Sequence, residues 1–551
     1  LVTNIGRAAI LRMVSHILTP ETFQKALTNY LEKHAYGSTV PDDLFDALEE
    51  QRAIDNSAPH TVYDFMTRWT TLPGYPVINV VRNGKEFSLS QERFLFRNSG
   101  ETPQYWWVPL TWTKESDAPN GFEQTHPTNW MSSQLREFTI EIDVDDSEWV
   151  IFNNQETGYY RVNYEENTWK MIIEGLHNNP EKIHILNRAQ LVDDALNLAR
   201  ADKLDYEIAL EVLDYLHNED DYIPWAAAAN ALAFLDRKLT SEEDHIHLQT
   251  YVQSLISDKY DKLRFEVGDA DSHLTHLHRM SVLNWACRFN KNDCVSNAQS
   301  KFKEYMDDNT KLVHANLRSV VYCTALRNGG ENEWNFLWEE FTKSKIQQEQ
   351  VLILSSLGCT DDPELLEKYL QMSINPDIEI RKQNTASVFS AVYSNPAGVD
   401  TALDFLINNY QAITDNYGTQ NALSSLLSGI SGRLTTEEQV NKLEKFITDN
   451  ADNLGSAAGA GQSAIESARA DMEWTNSHKE AILSWFKYKI NYTEPTTYES
   501  TTHESTTDST NMLESTTYES TTDPANTLES TTYESTTDSA NMLASESQVG
   551  S

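Results

Sequence analysis

The hydrophobic period changes twice along this chain, and that pattern limits the architectures open to it. From Arg7 to about Tyr63 apolar residues recur at three and four, as in Ile10, Met13, Val14, Ile17 and Leu18, then Phe23, Leu27, Tyr30 and Leu31. This is the signature of short amphipathic helices. After Pro73-Gly74-Tyr75-Pro76 the period drops to two in short runs, Pro76 to Val81, Phe87 to Phe96, Trp106 to Thr113 and Phe138 to Val144, broken by turn clusters such as Asn83-Gly84. Such runs predict a small β-sandwich, with Asn83-Gly84 as a tight hairpin. From about Trp149 to Tyr488 the pattern returns to helices of 10 to 20 residues, among them Leu191 to Ala201, Ile208 to Leu216 and Pro363 to Met372. That stretch is too long for a simple bundle and fits stacked helix pairs of the HEAT or armadillo kind, a superhelical bowl, although no fixed sequence repeat marks it.

The pattern stops at Asn491. Beyond it the chain turns to Thr, Ser and Glu with a 15-residue repeat, TTDSTNMLESTTYES from Thr506 and TTDPANTLESTTYES from Thr521, and no Lys or Arg follows Lys489. A segment so poor in apolar residues cannot form a core and is expected to be a disordered, self-repelling stalk. The fold expected is therefore mainly α, in four parts: a helical segment (1–74), a β-sandwich (75–148), a large helical domain (149–490) and the Thr/Ser/Glu-rich stalk (491–551).

Charge excludes some functions. Of 551 residues, 83 are acidic and 43 basic, a net charge of -40, which repels phosphate backbones and anionic lipid, so no nucleic-acid partner is expected. No window approaches the roughly 18 apolar residues of a membrane-spanning helix. The chain opens with Leu1 in what already reads as the inside of a structured element, the expectation for a fragment. Cys287, Cys294, Cys323 and Cys359 lack a CxxC spacing; two disulfides in an oxidising compartment or four buried thiols both satisfy the count. Asn491-Tyr492-Thr493 is the N-glycosylation sequon, at the border of the stalk.

No active site of the chain's own is visible. A metallopeptidase needs two His one helical turn apart plus a carboxylate, and no HExxH occurs; His503-Glu504 in the stalk lacks the second His. His273, His276 and His278, near Asp269 and Asp271, are the better metal candidates, set against the ordinary capping and packing roles of His at a helix end. No GxSxG, P-loop or dinucleotide fingerprint appears. The pairs Trp106-Trp107 and Tyr159-Tyr160 read as packing rather than as ligand platforms. No catalytic or metal residue is assigned to this chain.

Several motifs together resemble the M1 family of zinc aminopeptidases, those of the aminopeptidase N type, from about residue 7 to residue 488. Ala8-Ala9-Ile10-Leu11-Arg12-Met13 and Tyr30-Leu31 resemble the last helices of the family's catalytic domain, and Trp69 with Gly74-Tyr75-Pro76 its exit into a β-sandwich. Ser90-Gln91-Glu92-Arg93-Phe94 and Trp107-Val108-Pro109-Leu110 resemble that sandwich's strands. The most specific stretch is Gly158-Tyr159-Tyr160-Arg161-Val162-Asn163-Tyr164 with Asn187-Arg188-Ala189-Gln190-Leu191 and Asp193-Asp194, which is similar to the start of the family's C-terminal helical domain. Glu219-Asp220-Asp221-Tyr222 and Pro224-Trp225 continue it.

The resemblance implies disulfides Cys287–Cys294 and Cys323–Cys359. It also implies that the zinc helix, the second Glu ligand and the amine-reading segment belong upstream of residue 1, so that zinc is a cofactor of the longer enzyme and not of this chain. Where the family has an oxyanion-stabilising Tyr in a Tyr-x-Lys-Gly-Ala segment, this chain has Asn4, Ile5, Gly6, Arg7 and Ala8. Loss of such a donor costs about 10² to 10³ in rate. The expectation is the C-terminal, non-catalytic part of an extracellular, membrane-associated aminopeptidase. It would cap a missing catalytic domain, limit access to short peptides and offer a dimer surface. The alternative is an inactive paralogue acting as a glycosylated surface-binding protein, open to toxin or virus attachment.

Overall fold

A computed structural model describes residues 4–493 apart from 98–99, 101–102, 379 and 418–419. The expected stalk from residue 494 onward, with His503 and Glu504, lies outside the described residues.

Four helices open the chain: α1 (Asn4–Leu18), α2 (Pro20–Lys33), α3 (Pro41–Asp55) and α4 (Val62–Thr71). The starts of α2, α3 and α4 each have a physical marker. Thr19 and Thr61 cap α2 and α4 through their hydroxyls, and Pro20 and Pro41 take first-turn positions where no N–H is needed. In α1 the stripe read from the sequence is the one that packs, with Ile10, Met13, Val14, Ile17 and Leu18 all buried. In α2 the buried positions are instead Thr22 and Ala26 and Leu31 is exposed, since this short helix turns a different face inward than Phe23, Leu27, Tyr30 and Leu31 suggest.

Eight strands follow: β1 (Pro76–Asn83), β2 (Glu86–Arg93), β3 (Val108–Leu110), β4 (Trp112–Lys114), β5 (Asn129–Met131), β6 (Glu137–Glu141), β7 (Val150–Phe152) and β8 (Arg161–Tyr164). A four-stranded sheet has the order β6-β2-β1-β8, and the pairs β3-β5 and β4-β7 form two short ribbons. Along β2 burial alternates strictly, with Phe87, Leu89 and Gln91 inside and Glu86, Ser88 and Ser90 turned out. The β1–β2 hairpin pairs Asn83 with Glu86, so Gly84 and Lys85 form the loop. Gly84, at φ +62, supplies the positive φ at the first central position, so the glycine rather than the preceding Asn makes the turn.

Two of these strands lie past residue 148. β7 pairs with β4, and β8 pairs with β1 in parallel, Val77 opposite Arg161. The first helix after the sandwich starts only at Glu166. The reading of helices from Trp149 onward therefore differs from the structure over 149–165, which completes the sheets. The cause is the crossover: a parallel partner arrives from far along the chain, and its four residues carry no hairpin signal.

The rest is helical: α5 (Glu166–Asn178), α6 (Ile185–Arg200), α7 (Tyr206–Asp214), α8 (Tyr222–Lys238), α9 (Glu242–Leu263), α10 (His273–Arg288), α11 (Asn292–Asp307), α12 (Arg318–Arg327), α13 (Glu331–Lys343), α14 (Gln347–Leu357), α15 (Pro363–Ile374), α16 (Thr385–Ser394), α17 (Val399–Tyr417), α18 (Gln420–Ser431), α19 (Glu437–Asp449), α20 (Ala451–Leu454) and α21 (Ala457–Thr493). Even-numbered helices touch in succession, α6 to α8, α10, α12, α14, α16 and α18, and their odd-numbered neighbours form a second layer. This is the stacking of helix pairs. The last helix, α21, packs on α18 and α19 and also on α7 and α9, joining the end of the array to its beginning. Lys489 seals that closure with Glu211 and Asp214, both at 2.9 Å, and Trp485 donates to Glu211 at 3.0 Å.

Candidate functional site

The most specific motifs of the sequence converge on one junction between α1, the sandwich and α6. Its centre is the turn 153–158, in which Asn153, Gln155 and Glu156 all have positive φ (68°, 52° and 50°). Non-glycine residues in that region cost about 1–3 kcal/mol each and persist only where the surroundings hold them. Here three elements do. Asn153 bonds across the turn to Gly158, its Nδ2 to the carbonyl at 3.0 Å and its Oδ1 from the N–H at 2.7 Å. Asn154 Nδ2 reaches the carbonyl of Gln124 at 2.8 Å. From α6, Asn187 accepts from Gln155 N–H at 2.7 Å and donates to Asn153 O at 2.9 Å. From α1, the Arg12 guanidinium donates to the carbonyls of Glu156 (2.7 Å) and Gln155 (3.0 Å). Gly158 must be glycine for space, because a Cβ there would run into the Tyr160 ring.

The chain then enters β8 with Arg161, whose guanidinium meets Asp193 at 2.5 Å and Asp194 at 2.9 Å on α6, while Val162 N–H donates to Asp194 at 2.9 Å. The rings of Phe94 and Tyr75 lie 5.0 and 5.8 Å from the Arg161 guanidinium carbon. Nearer the start of α6, buried Arg188 binds Glu219 (2.6 Å) and Asp221 (2.7 Å) and donates to Ile183 O at 2.8 Å. The stretches 158–164, 187–194 and 219–221 are thus one buried polar network, in which charges are paired as burial requires.

Electrostatics follow from this crowding. Water reaches part of Glu156, yet protein surrounds it closely, and burial, then Asp193 and Asp194, push its carboxyl up to about 8 against the pull of Arg161 and Arg12. Burial likewise raises Asp194 to about 6, with Arg161 opposing. Burial works against the charge on Arg161 too, but Asp193, Tyr75 and Asp194 outweigh it and hold the guanidinium protonated. On α1, burial and then Arg12 lower His16 to about 4, so it is neutral; its Nδ1 lies 2.9 Å from Thr125 Oγ1. These groups pair, cap and brace, and none is a nucleophile beside a base. What the junction can do is mechanical: it locks α1, the sandwich and α6 at fixed angles.

The other residues singled out from the sequence fall elsewhere. Cys287 is bonded to Cys294 and Cys323 to Cys359, the pairing the resemblance implies. Asn491 is exposed near the end of α21. The three histidines do not converge: His273 is exposed, His276 lies 3.9 Å from Asp271, and His278 is buried against Tyr222 and Trp225, where burial lowers it to about 4. Positions i and i+5 of a helix point apart, which the spacing already contains. Among the described residues, His177, Glu211 and Asp214 have ligand atoms near enough to share an ion, but Lys489 already binds both carboxylates. These residues do not fit a zinc site. Trp106 is fully buried and Tyr160 donates to Pro109 O at 2.8 Å, both packing roles. The partnership of Arg12 with the 155–156 turn escaped sequence reasoning, although an Arg on the flank of an apolar helical stripe was its signal.

A sandwich braced onto a closed array of paired helices defines a multidomain scaffold, and comparison with known proteins gives its family. The family model described as ERAP1-like C-terminal domain matches residues 149–470, and that described as Peptidase family M1 domain matches residues 6–69. The chain is 34% identical over 486 residues to the aminopeptidase N of Plutella xylostella, covering 87% of this chain and 51% of that protein. It is 31% identical over 495 residues to the aminopeptidase N of Homo sapiens (87% and 50%) and 30% over 496 residues to the aminopeptidase Ey of Gallus gallus (87% and 50%). The chain spans about half the length of these curated relatives. It belongs to the M1 aminopeptidase family.

Proposed function

We propose that this chain is the non-catalytic part of a zinc-dependent aminopeptidase that removes N-terminal residues from peptides. Its sandwich and helical array cap a catalytic domain and limit the size of substrates that enter. The observation that carries this reading is the Arg12 lock. The helices of the matched peptidase segment are tied by α1 to the strained 153–158 turn, which Asn187 in turn fixes to α6, so whatever α1 belongs to is held against the first helices of the array. Catalytic zinc is then supplied by residues outside this sequence, which contains no HExxH. The partners are the catalytic domain, peptide substrates and a second copy. The setting is the outer face of the plasma membrane, consistent with two disulfides.

The test compares this chain with a product extended upstream in its own reading frame, measuring zinc content and hydrolysis of an amino-acid anilide. A zinc-free, inert short chain beside a zinc-loaded, active long one is expected. An upstream frame that binds no zinc and cleaves nothing overturns it in favour of a surface-binding paralogue.

A further inference from the structure

The four-stranded sheet ends at β6, which pairs with β2 and, among the described residues, with no other strand. The register fixes which of its backbone groups are left over. Gln91 N–H donates to Arg136 O at 3.1 Å and Ile142 N–H to Lys85 O at 2.8 Å, one bond at each end of the ladder. Antiparallel partners alternate between bonded and unbonded pairs, so Phe87 with Ile140 and Leu89 with Phe138 are bonded pairs, and the N–H and C=O groups of Glu137, Thr139 and Glu141 point away from the sheet. These three residues are exposed, whereas on the opposite face of the strand Ile140 is buried and Phe138 half-buried. The edge is a row of open donors and acceptors, the template for a further strand.

The side chains on that row select the strand. Glu137 and Glu141 flank Thr139, and Glu141 stands directly opposite Glu86 of β2, a like-charge pair that opposes itself. The lysines alongside, Lys85 and Lys114, are both engaged by Asp143, and among the described residues no salt bridge reaches Glu86, Glu137 or Glu141. Acidic side chains on an edge guard against self-association, and the spacing here makes that guard effective. A second copy pairing antiparallel about Thr139 sets Glu137 against Glu141 at both ends, in a chain of net charge -40. The edge repels its own kind and favours a strand of opposite sign.

We propose that β6 is a docking edge for an extended basic peptide, which adds antiparallel to the sheet with its backbone on Glu137, Thr139 and Glu141 and a cation opposite each glutamate. In strand addition of this kind the main-chain bonds supply affinity and alternate side chains supply specificity. The pattern that fits is cation, apolar, small polar, apolar, cation. Its first, third and fifth residues lie beside Glu137, Thr139 and Glu141, and the two apolar ones extend the other face beyond Phe138 and Ile140. The site goes beyond the capping role and does not depend on it, since it requires neither zinc nor hydrolysis.

The test titrates the full chain calorimetrically with acetyl-Lys-Val-Thr-Val-Lys amide and with the same peptide carrying Glu in place of Lys. The lysine peptide is expected to bind at least about 10-fold more tightly, from two cross-strand charge pairs reversed in sign, and to lose affinity as salt rises. Methylating the nitrogen of its central Thr, which faces β6, is expected to weaken binding roughly 3- to 10-fold, the worth of one hydrogen bond; methylating a Val nitrogen, which faces away, leaves it unchanged. Thr139→Pro removes the matching donor on an edge that tolerates proline, and Glu137→Gln/Glu141→Gln removes the charge with the backbone intact. Both are expected to weaken the lysine peptide by a similar factor, with hydrogen exchange in β1 and β2 unchanged. Absence of binding, equal binding of the two peptides, or affinity unchanged by the Thr methyl group or by the glutamine variant overturns the proposal. So does a product extended upstream that no longer binds the lysine peptide, which identifies the upstream segment as what covers this edge.

Discussion

Replacing Arg12 by Gln tests whether the junction holds α1 in place. The wild-type guanidinium makes two charge-assisted hydrogen bonds, to Glu156 O and Gln155 O, and bonds of that kind are each worth about 1.5–3 kcal/mol. Part of that is offset, because burial disfavours the charge on Arg12 itself, and Gln removes the charge. Gln can keep one bond at best. A net local loss of about 2–3 kcal/mol is expected. A global denaturation curve is a poor readout for a chain of several domains, since it is not two-state. Native-state hydrogen exchange reads local opening instead. Since 1.4 kcal/mol is tenfold, amides of α1 should exchange roughly 30- to 150-fold faster, while those of α10 to α16 keep their rates. Exchange in α1 within about threefold of the parent would refute the idea that this arginine locks the helix.

Three further outcomes follow from the same structure. Unfolded, the Glu156 carboxyl titrates near 4.5, and folded it holds its proton to about 8, so between these values the folded state binds the extra proton. Its contribution to stability is therefore full below about pH 4.5 and lost as pH rises to about 8, on the order of a few kcal/mol; Glu156→Gln should flatten this component in the local opening free energy of the 153–158 turn, read by native-state hydrogen exchange corrected for intrinsic rates from about pH 5 to 9. The disulfides close loops of 36 and 7 residues, and chain entropy assigns them about 4 and about 2 kcal/mol. Cys323→Ser/Cys359→Ser should accordingly speed native-state hydrogen exchange in α12 and α14 more than Cys287→Ser/Cys294→Ser speeds it in α10 and α11. Lys489→Met leaves Glu211 with Trp485 and Asp214 with Tyr251 but no opposite charge, and should cost about 1–3 kcal/mol, exposing α21 to limited proteolysis before any other helix.

Much of this could be read from residues. The helical stripe of α1, the alternation in β2 and the starts at Pro20, Pro41 and Pro363 all carry their signals locally, in spacing and capping. The turn at Gly84 was visible for the same reason. What escaped was set by distant partners. β5, β7 and β8 are three or four residues long, and β8 exists because β1, more than 80 positions earlier, offers it a parallel edge. In the junction, Arg161, Asp193 and Asp194 stood out as a motif, yet their pairing depends on β8 crossing α6.

The return of α21 to α7 carries a consequence for how the polypeptide is made. Lys489 and Glu211 are 278 positions apart, so the array cannot shut until the final helix has left the ribosome. At about 5–20 residues per second, α7 waits some 15 to 60 seconds for its partner. Throughout that interval the surface that α21 will cover is open to water, to neighbouring nascent chains and to chaperones. Vulnerability to misassembly during synthesis is thus concentrated at the first helices of the array, although they are the earliest to emerge.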